Sequence, residues 1–306
     1  MQPKTDANLT SSRTQTRLDV RWIYFVLWSA ACLVLFWRPV LTLWHAGLDD
    51  ENTSHVFLIP FVTAWLLFTE SEELPGGVRR DYLAAAAFAL PAALLAGWNR
   101  LMNPGGDSSG LTASMVALLL LVVAGFLFLF GKEGGRRSWF PLAFLTFAVP
   151  LPPFLLQKFI YWLQVGSAAV AEFFFEISGY PVLREGLIFR LPRISIEVAQ
   201  ECSGIRSSIA LLILAVLVSH FSFRPLWKKL VFVAAGLLMM VLKNGIRIAS
   251  LTLLANYVNP DFLYGKLHHR GGIVFFLIGL ALLIPVYQLL RRGESVDVLR
   301  KTPETA

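Results

Sequence analysis

The sequence predicts an all-α polytopic membrane protein of about eight transmembrane helices, with a short outward-facing amphipathic and strand-like segment at about 154–201. Three observations point there. Hydrophobic residues make up 56% of the 306 and charged residues only 15%, with mean hydropathy +0.62, well below the roughly 25% charge of a soluble domain. Apolar runs able to cross a ~30 Å hydrocarbon layer recur along the chain. The basic residues behind the net charge of +7 cluster in short loops between those runs, which is the pattern of membrane topology and argues against a nucleic-acid partner.

Residues 1–21 are polar and basic, without the apolar core of a signal peptide, and are expected to be a cytoplasmic N-terminal segment. The apolar runs fall at about 22–44, 56–70, 82–98, 112–130, 138–153, 203–221, 229–257 and 272–290. Residues 22–291 then form a single transmembrane domain and 292–306 a cytoplasmic tail. Between the fifth and sixth runs, 154–179 has apolar residues at helical spacing but also Gln157, Lys158, Gln164, Glu172 and Glu176. Basic residues decide its side. Arg17 and Arg21, Arg79 and Arg80, Lys132 with Arg136 and Arg137, Arg224 with Lys228 and Lys229, and Arg291 and Arg292 all lie inside if the chain crosses eight times and 154–179 does not cross. The acidic loop with Asp49, Asp50 and Glu51 then lies outside, and His220 lies inside.

Farther on, Ile194, Ile196 and Val198 alternate with Ser195 and Glu197, the period of a half-buried strand. This segment hands over to an apolar helix at Cys202. A helix start favours a thiolate through its unpaired N–H groups and dipole, and Arg206, four residues on, adds a positive charge on the same face. The plainer reading of Cys202 is a small packing residue at a helix cap. With only two cysteines, the other being Cys32 inside the first run, no disulfide framework is implied.

The seventh run contains Lys243, Asn244, Gly245 and Arg247. Two cations in an apolar run either reach out to headgroups or line a polar cavity. On the second reading Arg247 donates to a developing oxyanion, and Gly245 lets another backbone approach closely. His268 and His269 directly precede the last run. They are interfacial anchors or, beside an outward-facing cysteine, candidates for general acid and base, with His55 on the same face in reserve. His45, His55, His268 and His269 lack the spacing of a zinc motif, and two cysteines make no thiolate site, so no metal and no cofactor are expected.

Together these stretches resemble the exosortase/archaeosortase family of membrane-embedded cysteine transpeptidases, over roughly residues 40–290. Cys202-Ser203-Gly204-Ile205-Arg206 matches the family's nucleophile motif, and Asn244-Gly245-Ile246-Arg247-Ile248 its arginine motif. His268 stands four residues before Gly272, as the family's histidine stands before the glycine opening the last span; His269 does not. Ser54-His55-Val56 resembles a Ser-His-Gly stretch with Val in place of Gly, and Pro150-Leu151-Pro152-Pro153 and Arg184-Glu185-Gly186 fall where the family has a proline run and a short turn. The resemblance implies a thiol protease or transpeptidase of the cell membrane with its site toward the outer face. Its substrates would be exported proteins whose C-terminal sorting signal, of PEP-CTERM type, comprises a short motif, a transmembrane helix and a basic tail. Cys202 would attack as nucleophile, Arg247 stabilise the oxyanion and His268 act as acid and base, with Arg206, Asn244, His55 and His269 in support and membrane lipids as surroundings. Two rivals use the same residues differently. A non-enzymatic subunit of an exopolysaccharide or lipid export system would hold anionic headgroups with Arg206, Lys243 and Arg247. A membrane acyltransferase would use an outward histidine and have no need of Cys202.

Overall fold

A computed structural model of the chain describes residues 20–49, 54–70, 80–103, 108–192, 195–198, 205–259 and 272–299. The apolar runs become helices α1 (Val20–Leu35), α2 (Trp37–Asp49), α3 (Leu58–Glu70, entered through a 3₁₀ turn at Ser54–Phe57), α4 (Tyr82–Met102) and α5 (Ser108–Arg137). They continue as α6 (Trp139–Phe144, followed by a 3₁₀ turn at Leu145–Ala148), α7 (Pro153–Ile177), α8 (Ile205–Ser222), α9 (Leu226–Tyr257) and α10 (Gly272–Leu299). Between α7 and α8 stands a three-stranded antiparallel sheet in the order β1 (Leu183–Glu185), β2 (Ile188–Arg190), β3 (Ser195–Glu197).

Among the described residues, α4, α5, α9 and α10 are each long and apolar enough to cross a membrane. Six crossings result if the interrupted pairs α1–α2 and α6–α7 each count as one, while α3 and α8 are apolar but shorter. The protein is a polytopic helical membrane protein with four to six candidate spans, where the hydropathy of the sequence leads one to expect eight.

The interruptions have local causes. Pro39 lacks the N–H that would bond to the Leu35 carbonyl, and the first run breaks there into α1 and α2. Residues 138–153 do not form the single span expected of them. Pro150, Pro152 and Pro153 stop the short α6 and its 3₁₀ turn; Pro153, at the first position of α7, starts the next helix because no bonded N–H is needed there. The stretch expected to be a short amphipathic segment is instead a 25-residue helix, about 37 Å long. Ile160, Leu163, Gln164, Ser167, Ala168, Ala171 and Phe175 form its one buried stripe. Of its five interior polar residues flagged in the sequence, only Gln164 faces inward.

The chain divides into two compact units. The first comprises Met1–Val40, Thr63–Pro104 and Ala113–Thr146. Its core is aromatic: Phe126 stacks on Phe130 at 4.6 Å, and Phe25 meets Phe126 edge-on at 5.3 Å. Trp28 Nε1 donates to the Leu121 carbonyl at 2.9 Å, and buried Asn99 Nδ2 donates to Ser114 Oγ at 2.9 Å. Such interhelical bonds satisfy polar groups where no water competes.

The second unit, Leu41–Val62, Gly105–Thr112 and Phe147–Ala306, is built on α9, 32 residues or about 48 Å long. Paired residues give the helix directions. Gly166 faces Val241, Ser167 meets Asn244 and Tyr180 meets Tyr257, so α7 runs parallel to α9. Gly236 faces Ala215 and Phe232 meets Phe223, so α8 runs antiparallel. Gly279 faces Lys243, and Lys228 Nζ donates to the Leu290 carbonyl at 2.9 Å, so α10 is antiparallel too.

The sheet hangs on the α7 end of this bundle. β1 and β2 are joined by Gly186-Leu187, with Gly186 at φ +65°, the two-residue type II′ pattern that needs glycine first. Fully buried Phe189 meets Phe175 of α7 edge-on at 5.3 Å, and both join Ala171, Leu191, Val198 and Ile248 in one core. Arg184 pairs with Glu172 of α7 at 2.6 Å. The alternation at 194–198 corresponds to β3, although Ile194 lies outside the described residues. Phe175→Ala should remove the ring that joins α7 to the sheet, lowering stability by about 3–5 kcal/mol. The check is the melting temperature of the detergent-solubilised protein against Phe173→Ala, whose exposed ring should matter little.

Candidate active site

Successive residues of an α-helix point about 100° apart, so three polar or small residues in a row can address several neighbours at once. Lys243, Asn244 and Gly245 of α9 do so. Lys243 Nζ donates to Ser207 Oγ of α8, and a Cβ built on Gly279 of α10 would lie 3.4 Å from the Cγ and Cδ of its stem. Asn244 Nδ2 donates to Ser167 Oγ of α7 at 3.0 Å. Gly245 lies against Val170, and a Cβ there would overlap that side chain and come within 3.0 Å of the Ser167 carbonyl oxygen. Glycine is what lets α7 and α9 come this close.

These groups are enclosed by protein: Lys243 is 1% exposed, Asn244 0% and Arg247 9%. The headgroup-reaching role that the sequence leaves open for Lys243 and Arg247 is therefore set aside. Arg247 stands one turn beyond Lys243, about 6 Å along the axis, on the same face. Like charges at this spacing repel, and burying each costs several kcal/mol unless it is well met by acceptors. Asn244 Oδ1 is also buried and meets no donor among the described residues, an omission worth about 1–3 kcal/mol. Asn244 and Arg247, three residues apart, are surface neighbours on one helix.

The surrounding elements converge on the same level. Gln164 Nε2, one turn before Ser167 on α7, donates to the Val198 carbonyl at 2.6 Å, and Val198 N donates to the Leu187 carbonyl at 2.9 Å. This fixes the end of the β3 segment to α7. Helix α8 opens at Ile205, two residues before Ser207, and α10 at Gly272, seven before Gly279. Both helices thus begin within about 10 Å of the level of Lys243.

Of the residues singled out in the sequence, Arg247 and Asn244 lie together in this buried polar stretch. Cys202, His268 and His269 lie outside the described residues. So do the side chains of Arg206, at the start of α8, and of His55, whose backbone belongs to the 3₁₀ turn Ser54–Phe57. His220 sits in the last turn of α8, thirteen residues or about 20 Å from Ser207, and is remote from the site. Among the described residues no cluster of His, Cys, Asp and Glu is placed to hold a metal. Three residues the sequence does not single out as functional complete the arrangement: Ser167, Ser207 and Gln164. Their only signals are a small-residue run around Gly166 and one polar residue on an apolar helical stripe.

A family model described as transmembrane exosortase matches residues 44–285, well over half of the chain. No curated protein and no solved structure matches it.

The close approach at Gly245 has a direct test. Gly245→Ala should force α7 away from α9 and cost about 1–3 kcal/mol, the usual range for overpacking. Gly97→Ala on α4, where nothing lies within 4 Å of the new Cβ, should be neutral or stabilising. Melting temperatures of the two variants in detergent check the contrast.

Proposed function

We propose a function from one premise: the chain belongs to the transmembrane exosortase family. Membership supports a membrane transpeptidase role in general. The more specific reading is a cysteine enzyme of the cell membrane that cleaves C-terminal sorting signals from exported proteins, within a single domain at 22–291. The observation that carries it is the buried pair Lys243 and Arg247 on α9, at the level where α8 and α10 begin. An arginine buried there has a physical rationale if negative charge develops beside it during turnover.

The roles are those that the family resemblance implies. The Cys202 thiolate attacks the scissile carbonyl carbon, and Arg247 holds the resulting oxyanion. Collapse breaks the C–N bond as His268 protonates the leaving amine, which leaves a thioacyl enzyme. His268 then takes a proton from the incoming water or amine, whose attack releases Cys202. Chain connectivity supports the grouping: Cys202 is three residues from Ile205, a span of at most about 11 Å. Asn244 would receive the N–H of the bound peptide, with Arg206, His55 and His269 at the rim.

The parallel run of α7 and α9 supports a small change of topology. With α7 as the crossing segment in place of 138–153, the number of crossings before α8 is unchanged and every basic loop stays inside. The sheet and the site then face outward and both termini lie in the cytoplasm. Single cysteines near residue 181 should react with an impermeant thiol reagent in intact cells, and those near 224 only after the membrane is broken; the reverse result would invert the scheme.

The chemistry is tested with a reporter ending in a motif, one transmembrane helix and a basic tail, taken from exported proteins of the same genome. Cys202→Ala should abolish cleavage with the protein level intact, whereas the export-subunit alternative requires that it be tolerated. Arg247→Lys should lose about 10²–10³ in rate, because a point charge does not reproduce the planar fork of donors. His268→Ala should lose about 10²–10⁴, with His269→Ala retaining most activity and His55→Ala intermediate. Normal turnover in His268→Ala would overturn that assignment and leave the cysteine role standing.

A further inference from the structure

We propose that Lys243 is a positioning residue, whose bond to Ser207 and packing on Gly279 set the places of α8 and α10 against α9 and so align the catalytic segments with Arg247. The inference rests on the transpeptidase reading above. Its ground is the meeting of three helices on one side chain. Lys243 is enclosed by protein and belongs to α9, its Nζ donates to Ser207 of α8, and its stem lies against Gly279 of α10. Ser207 is two residues into the helix that follows the Cys202 segment, and Gly279 is seven residues into the helix that follows the His268 segment.

An apolar side chain at 243 would fill the same space. Its packing is non-directional, however, and selects one rotation and height of the helices less sharply than a hydrogen bond does. A hydrogen bond between Nζ and Oγ fixes both the rotation of α8 and its height on α9, because the bond weakens steeply with angle and distance. The glycine at 279 adds the second constraint. A Cβ there would stand 3.3 Å from Leu211 Cδ2 of α8 as well as 3.4 Å from the lysine stem, so α10 is held at a fixed approach to both helices. Arg247, one turn beyond on the same face, inherits this alignment. Lys243 contacts no reacting atom in this scheme; it acts through the helices it joins.

The test is kinetic and uses the full-length protein in vesicles with the tripartite reporter. Lys243→Met keeps the stem and removes Nζ, and Ser207→Ala removes the acceptor. Each should lower kcat by about 10–10²-fold, the scale of a misplacement near 1 Å, with KM unchanged. The double variant should be no slower than the slower single, because both remove one bond. Ser207→Thr, which keeps the hydroxyl, should restore most of the rate. Wild-type kcat in Ser207→Ala, or a double variant whose loss is the product of the two singles, would overturn the proposal. If Lys243→Met fails to accumulate in the membrane, Ser207→Ala and Ser207→Thr decide the matter alone. Cleavage by Cys202→Ala would remove the underlying reading itself, whereas an inactive Cys202→Ala beside a fully active Ser207→Ala would remove only the role of Lys243.

Discussion

In a layer without water every polar group must be met from within the protein, and α9 is where this constraint bites. Most of its length is apolar, yet Lys243, Asn244 and Arg247 are buried in its middle. Meeting them draws α8 in through Ser207 and α7 in through Ser167, and the room they need is made by glycine at 245 and at 279. The directions of the neighbouring helices, the level at which α8 and α10 open, and the attachment of the sheet through Gln164 all refer back to this stretch. A core of leucines would have packed as tightly, but it would not have chosen one register over the next.

Much of the fold is readable from the sequence because hydropathy and helix-starting residues agree. α9 lies within three residues of the run at 229–257, and α10 opens at Gly272 as expected, although it continues nine residues past 290. Of the sheet, β3 is readable from the period-2 alternation and the turn at Gly186 from the family resemblance, whereas β1 and β2 are not singled out in the sequence. The misreading falls at 138–179. A hydropathy window sums over Pro150, Pro152 and Pro153 without seeing that they interrupt the backbone. Counting polar residues in 154–179 likewise ignores which face each occupies. Gln164 is a bonded inward group, while Gln157, Lys158 and Glu176 are exposed along a helix whose other side is small and apolar.

The candidate site divides in the same way. Asn244 and Arg247 can be named from the sequence because a polar motif inside an apolar run is conspicuous and has few explanations. Lys243, one residue earlier, admits a headgroup reading because side-chain reach alone does not say whether a neighbouring helix closes over it. Ser207 carries no signal and Ser167 only that of a small-residue run, and both take their meaning from partners 36 and 77 positions away. Long-range contacts of this kind belong to the packing of helices, which local spacing does not encode.

The length of α9 has a consequence for how deep a reaction at this level would lie. Measured from Leu226, Lys243 is seventeen residues up the helix and Arg247 twenty-one, or about 26 Å and 32 Å. The hydrocarbon layer is ~30 Å thick. On the proposed orientation, with the start of α9 at the inner boundary, the protein-enclosed guanidinium would stand near the outer one, and the ten residues from there to Tyr257 would project a further ~15 Å. A substrate of the proposed kind, anchored by its own membrane helix, would then be measured like a depth sounding. On the proposed function, the bond presented to the site would be chosen by how far it rides above the lipid, and the thickness of the bilayer would become part of the specificity.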